Sequence, residues 1–329
     1  MPEKAADLIE LWRGGLKESV HQGHAVICDR HGIVEAWGSP GATIFPRSSC
    51  KMIQALPLVE SGAADACGLE PRHLALACAS HQGARLHVDQ VAEWLERLGL
   101  GETDLRCGAH LPGDADERKR LVCGDQAPCQ LHNNCSGKHA GFLTLNRHIK
   151  GDPEYVAPDH PIQRSIRLAF EDLTGEPIRG WGVDGCSAPN FACTVEGLAR
   201  AMRSFAAPDA GARGEAQRRL VRAMLDHPEL VAGETRACTE LMRAMNGRAV
   251  VKTGAEAVFV AILPDQGLGV ALKVADGGTR GSEAAITALM VHLGVLDPDH
   301  PVVARYLTGP QRNWRGMVTG ELRRAAGFP

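Results

Sequence analysis

Apolar and polar positions repeat along this chain with two different periods, and the changes of period divide it. HAVICDR is rich in β-branched residues, HG makes a turn and IVEAWG returns, which predicts a β-hairpin over residues 18–38. The period then lengthens. In IFPRSSCKMIQALPLVESG the apolar residues Met52, Ile53, Leu56 and Val59 recur at helical spacing. Pro46 suits the entry to that helix, and Pro57 inside it predicts a kink or an early stop, because proline lacks the backbone donor.

Helical spacing continues through the middle of the chain. HVDQVAEWLERLGL is amphipathic, and the proline-rich GDPEYVAPDHPIQ reads as a loop. IQRSIRLAFEDLTG, TVEGLARAMRSFAA, GEAQRRLVRAMLDHPEL and GETRACTELMRAM predict further helices. CGAHLPGDADERKRLVCGDQAPC reads as a surface loop around a solvated charge run. RAVVKTG, AEAVFVAILP and LGVALKVADG then return to strand patterning before a helix in GSEAAITALMVHLGVL.

This order predicts an α/β (α+β) fold, with one antiparallel sheet formed by both chain ends and flanked by helices. The chain is expected to form a single unit over residues 1–329. Its sheet part covers approximately 1–45 and 248–329, and its mainly helical part approximately 46–247. Such a sheet brings the start of the first helix beside the Lys-Thr-Gly strand.

Composition narrows the classes. A 44% hydrophobic and 23% charged content is that of a globular protein with a substantial core. A net charge of −3 gives no basic excess for nucleic acid or an anionic membrane, so neither is expected as a partner. No apolar run approaches the roughly 20 residues that span a bilayer. MPEKAADLIELWRGG lacks the apolar core of a secretory signal, and a cytoplasmic location is expected. Eleven irregularly spaced cysteines argue against a disulfide scaffold; most read as buried thiols.

Candidate chemistry begins with RSSCK at 47–51 and KTG at 252–254. Ser48 and Lys51 at i and i+3 share a helix face, so the amine can reach the hydroxyl. A serine needs a base to become a nucleophile. Lysine serves as one where burial or a second cation favours its neutral form, and a second lysine supplies such a cation. Either motif alone is more often a solvated helix face or an ordinary strand. Together, in this order, they have the layout of serine β-lactamases and penicillin-binding proteins. No convincing Ser-Asp-Asn element accompanies them, so a cytosolic amidohydrolase fits better.

Other polar clusters leave more than one reading. Ser80 and His81 end the apolar run LALACASHQG, either lining a pocket or capping an element. LHNNCSGKHAGF at 131–142 predicts a tight turn into a helix, whose free N–H groups can hold a carboxylate. GWGVDGCSAPNF at 180–191 sets Asp184, Cys186 and Asn190 on a glycine-rich loop. Cysteines from two such loops can bind zinc, though no zinc spacing is present and unrelated buried thiols are the commoner case.

RSSCK, SHQG at 80–83, NNCSGKHAGF at 133–142, VDGCSAPNF at 183–191 and KTGAEAVF at 252–259 together resemble the class 3 L-asparaginases, the asparaginase II family. The resemblance covers nearly the whole chain in motif order. It implies a serine β-lactamase- and glutaminase-like fold, a homodimer, and hydrolysis of L-asparagine to L-aspartate and ammonia. It also implies two adjacent Ser–Lys tandems, Ser48 with Lys51 and Ser80 with Lys252. Cys135, Lys138 and Cys186 match the positions that hold a Zn2+ ion in the family, with Asp184 close by and Cys238 matching a further nearby cysteine. Arg47, His139 and Asp184 are the corresponding substrate-pocket residues. The metal is expected to aid substrate binding, not the chemistry. Two alternatives remain at this level: a glutaminase or other serine amidohydrolase, and a non-catalytic, metal-dependent amino-acid-binding protein.

Overall fold

A computed structural model describes residues 4–329, which group into two compact units. Residues 4–49, 193–207 and 240–329 form the first, and residues 50–192 and 208–239 the second.

Strands, in chain order, are β1 (Ala6–Arg13), β2 (Leu16–Asp29), β3 (Gly32–Trp37), β4 (Thr43–Ile44), β5 (Trp181–Val183) and β6 (Pro189–Phe191). Then come β7 (Cys193–Thr194), β8 (Val250–Gly254), β9 (Val258–Leu263), β10 (Leu268–Val274), β11 (Pro310–Arg312) and β12 (Val318–Arg324). Helices are α1 (Lys51–Gln54), α2 (Leu56–Glu60), α3 (Ala63–Ala66), α4 (Pro71–Ala77), α5 (Arg85–Arg97), α6 (Ala115–Cys123) and α7 (Ser136–Ile149). They continue as α8 (Pro161–Thr174), α9 (Val195–Ala206), α10 (Ala212–Asp226), α11 (Pro228–Val231), α12 (Ala237–Ala244), α13 (Thr279–His292) and α14 (Pro301–Val303).

The first unit is built on an eight-stranded antiparallel sheet of order β11-β12-β1-β2-β10-β9-β8, with β3 also paired to β2. β2 is its spine: its first half pairs with β1 and its second half with β10. The apolar run VFVAIL of β9 is buried at every position. Such a run suits a strand covered on both faces, and α9 and α13 both pack on it. Backbone contact is close on β10, where a Cβ at Gly269 would lie 2.3 Å from the Ala199 carbonyl oxygen of α9.

The antiparallel sheet from both chain ends and the flanking helices are as the patterning predicts. β1, β11 and β12 were not predicted. VTGELRR of β12 buries only Leu322, so pairing with β1, Leu322 opposite Leu11, makes it a strand.

The second unit is helical, and α7 is its centre, with all residues from Ser136 to Asn146 buried. Trp94 of α5 donates to the Thr144 hydroxyl of α7 at 3.1 Å. The predicted interruption at Pro57 is present: α1 stops before Ala55, and Pro57 sits in the first turn of α2. The segment expected as a surface loop holds α6. Asp114 caps it by accepting the Glu117 N–H at 2.8 Å, a spacing that turns the charge run into a capped helix. GEAQRRLVRAMLDHPEL divides into α10 and α11, because Pro228 cannot continue the first helix. Among the described residues no helix is long and apolar enough to cross a membrane.

Candidate active site

In the first unit the RSSC turn and the KTG strand abut. The Pro46 carbonyl accepts both the Ser49 N–H at 3.2 Å and the Ser49 hydroxyl at 2.7 Å, closing the turn. A Cβ at Gly254 would stand 2.6 Å from the Pro46 carbonyl oxygen and 3.1 Å from the Ser49 nitrogen, so only glycine lets β8 approach this closely. Side chains alternate along a strand. Lys252, two residues earlier, therefore projects from the face of β8 that meets the turn. It is fully buried, and its Nζ donates to the Thr253 carbonyl at 2.7 Å. Arg47 has a φ of 53°, left-handed backbone that costs a branched or long side chain about 1–3 kcal/mol. This strain sits immediately before Ser48, which is half-buried.

In the second unit Lys51 is buried on α1, and its Nζ donates to three acceptors. They are the Ala79 carbonyl, the Ser80 Oγ at 3.0 Å and the Cys135 Sγ at 3.1 Å. Ser80 lies beyond the C-terminus of α4, so it caps no helix; its loop is anchored by the Ser80 N–H on the Val231 carbonyl at 2.8 Å. Cys135 immediately precedes α7. Its N–H donates to Asn133 Oδ1 at 2.8 Å, and Asn133 Nδ2 donates to the Cys107 and Gly108 carbonyls, each at 2.8 Å. The start of α7 reaches α4 only because residue 137 is glycine: a Cβ there would lie 2.5 Å from the Leu76 carbonyl oxygen.

One turn into α7, Lys138 Nζ donates to Cys186 Sγ at 2.9 Å. Cys186 is carried by the tight loop between β5 and β6, closed by the Asp184 N–H on the Ala188 carbonyl at 2.9 Å, with Ser187 at a φ of 70°. The Cys186 thiol is held well below the ordinary range by the Cys135 thiol that donates to it, against burial, with the Lys138 charge and the His139 ring adding. Cys135 is correspondingly raised, first by Cys186 and then by burial. Burial works against the Lys138 ammonium, but the Cys186 and Cys135 charges outweigh it and its pKa rises.

His139 is fully buried, and burial draws its pKa down to about 4 against the pull of Cys186. Tyr155, also fully buried, accepts the Arg106 N–H at 2.9 Å, and its hydroxyl lies 2.9 Å from His139 Nδ1. His139 Nε2 has no hydrogen bond of ordinary geometry and lies near enough to Cys186 to feel its charge.

This donor set suits a soft divalent ion. Two cysteine sulfurs and the Lys138 nitrogen, which must shed its proton to bind an ion, come together in a buried cluster, one ligand short of the tetrahedral shell zinc prefers. Among the described residues no three or more His, Cys, Asp or Glu side chains gather where they could hold a metal ion.

Lys51, Ser80, Cys135, Lys138, His139 and Cys186 thus form one neighbourhood in the second unit, with half-buried Asp184 close enough to act on Lys138. Cys238 is buried at the start of α12. Arg47, Ser48 and Lys252 belong to the first unit. The chain passes from one unit to the other between Ser49 and Cys50, inside the Ser-x-x-Lys motif. All eleven cysteines are free thiols. Sequence reading missed Tyr155 and read Asn133 only as part of a turn. A tyrosine inside a proline-rich loop, in a chain with two tyrosines, was the available signal for the first.

A buried lysine thus stands between a serine hydroxyl and a thiol, with a second lysine and a second thiol behind it. Residues 9–324 match the family model of L-asparaginase II, and the chain belongs to that family. No curated protein matches it. Among solved structures it resembles a β-lactamase from Mycobacterium bovis at 14% identity, covering 83% of this chain and 95% of that one, with a TM-score of 0.48. It also resembles a Bacillus subtilis glutaminase solved as a covalent complex with 5-oxo-L-norleucine, at 12% identity, covering 84% and 89%, with a TM-score of 0.39.

Proposed function

We propose that the chain is an L-asparagine amidohydrolase that works through a serine ester. The observation that carries this reading is the seat of Lys51, buried with its Nζ 3.0 Å from Ser80 Oγ and three residues along the chain from Ser48. The amine form of Lys51 takes the Ser48 hydroxyl proton as Oγ attacks the side-chain amide carbon of asparagine. Backbone N–H groups at the turn stabilise the oxyanion, each worth about 3 kcal/mol. The C–N bond then breaks, the proton passes to the leaving nitrogen, and ammonia departs. Water cleaves the ester and releases aspartate. Ser80 Oγ, able both to accept and to donate, relays protons to and from Lys51, with Lys252 its tandem partner.

Cys135, Lys138 and Cys186 would hold zinc, which supplies a positive anchor for the α-carboxylate or a ligand position for the α-amine of the substrate. Arg47, His139 and Asp184 are the substrate-binding residues in this reading. Homodimerisation follows from the family resemblance; size-exclusion chromatography with light scattering tests it.

Ammonia release from L-asparagine and L-glutamine, with Ser48→Ala in parallel, tests the proposal. Release from asparagine, lost by several orders of magnitude in a folded Ser48→Ala, is the expected result. Release from glutamine alone moves the substrate. Retained activity in Ser48→Ala moves the nucleophile to Ser80. Tight binding with no release makes the chain an amino-acid-binding protein.

A further inference from the structure

Lys51 Nζ takes one partner, Ser80 Oγ at 3.0 Å, from the loop after α4, and another, Cys135 Sγ at 3.1 Å, from the turn before α7. The neighbours of those two residues are themselves joined. His81 Nε2 lies 3.0 Å from Ser136 Oγ. Ser136 Oγ spends its proton on the Leu131 carbonyl at 3.0 Å, so it accepts from His81. His81 Nδ1 accepts the Gly83 N–H at 3.2 Å, so the imidazole is neutral and carries its single proton on Nε2. The His81 N–H also donates to the Asn134 carbonyl at 3.2 Å, a second tie between the same two segments. The ring is held from behind by His87, stacked at 4.7 Å and 8°, whose Nε2 is fixed on the Glu229 carbonyl at 3.0 Å. Both rings are buried, and burial, with His87, Lys51, His110 and His132 nearby, pushes the His81 pKa well down.

We infer that His81 is a positioning residue, whose Nε2–H bond to Ser136 sets the span between Ser80 and Cys135 and so the seat of the Lys51 amine. This inference rests on the amidohydrolase reading for its kinetic consequences and on geometry alone for the bond. No ring nitrogen of His81 is left to touch substrate or take its proton: one donates to Ser136, and the other accepts from Gly83.

The test compares His81→Leu, Ser136→Ala, the double variant and His81→Gln in asparagine hydrolysis, with melting curves alongside. A misplacement of about 1 Å costs roughly 100-fold, so each of the first two should lower kcat on that scale with KM unchanged. The double variant should be no worse than the poorer single one, since both remove one bond. His81→Gln, which keeps a donor near the Nε2 position, should recover most of the loss. Additive losses, or a raised KM with kcat intact, would overturn the inference. A long-range proton–nitrogen NMR spectrum of the wild-type protein gives an answer that does not depend on activity or on variants folding. It should show a proton on Nε2 and none on Nδ1 of His81, and the opposite tautomer would overturn the inference. A wild-type protein that hydrolyses neither amide while showing the Nε2–H tautomer would remove the proposed function and leave the bond standing.

Discussion

Gly137 stands in the first turn of α7, between Cys135 and Lys138, and faces the end of α4. Replacing it with alanine adds one methyl group. On helix propensity alone that change is favourable by up to about 1 kcal/mol. The contact decides otherwise. The new Cβ would lie 2.5 Å from the Leu76 carbonyl oxygen and 3.0 Å from its carbon, about 0.9 Å inside an ordinary contact of 3.4 Å. Both atoms are backbone, so no side chain can rotate away. Overpacking of this kind costs about 1–3 kcal/mol, leaving a net destabilisation of up to about 2 kcal/mol after the propensity gain and a fall in melting temperature of several degrees. Relief comes most easily by moving the start of α7, which carries the Cys135 partner of Lys51 and the Lys138 partner of Cys186. A displacement near 1 Å there should lower kcat about 100-fold. Gly141, one turn on, is the control: its Cβ would meet the Ala77 methyl at 3.3 Å and Leu58 Cδ2 at 3.4 Å, and Gly141→Ala should be near neutral. Thermal melts and steady-state kinetics of the two variants decide the matter. A Gly137→Ala protein that melts at or above the wild-type temperature with unchanged kcat would refute the argument that this backbone approach positions the site.

Arg47→Gly should relieve the left-handed strain and raise stability by about 1 kcal/mol while increasing KM, measured by urea unfolding and asparagine kinetics. On the proposed zinc reading, Cys186→Ala should raise KM and abolish zinc binding, read by elemental analysis. Cys135→Ala should do both and also lower kcat, because it removes one of the three acceptors around Lys51 Nζ. Glu117 is held at about 2 by Arg120, against burial, with His132 assisting. Its folded pKa is below the unfolded value of about 4.3. Its contribution is therefore complete above that pH and disappears as pH falls toward 2. Acid denaturation of Glu117→Gln should lack that limb and start from a lower stability at neutral pH.

The hairpin at 18–38, the three strands after residue 248 and the amphipathic helices could be read from the chain because each carries its own period. β12 could not. Four of its seven residues are charged or threonine, and what makes VTGELRR a strand is a partner at the other end of the chain. Likewise the pattern marks 195–206 as helical, but only three-dimensional packing assigns α9 to the sheet-bearing unit. In the site, RSSCK, SHQG and KTG were legible as short runs of reactive residue types. The contacts that give them geometry were not: Gly254 against Pro46, Gly137 against Leu76, and Tyr155 on His139 all join segments far apart in sequence. No local period records such pairings.

β1 pairs with β12, Ile9 opposite Arg324, and this has a consequence for how the protein is made. At a synthesis rate of about 5–20 residues per second, β1 emerges from the ribosome roughly 15 to 60 seconds before its outer neighbour exists. β2 can cover one side of it at once. The other edge, with the Ile9 and Leu11 backbone groups exposed, stays open until translation reaches the last strand. A nascent chain stalled after residue 300 would hold that open edge, a place where a chaperone or a second nascent chain can add a strand, long after the serine–lysine motif has left the ribosome.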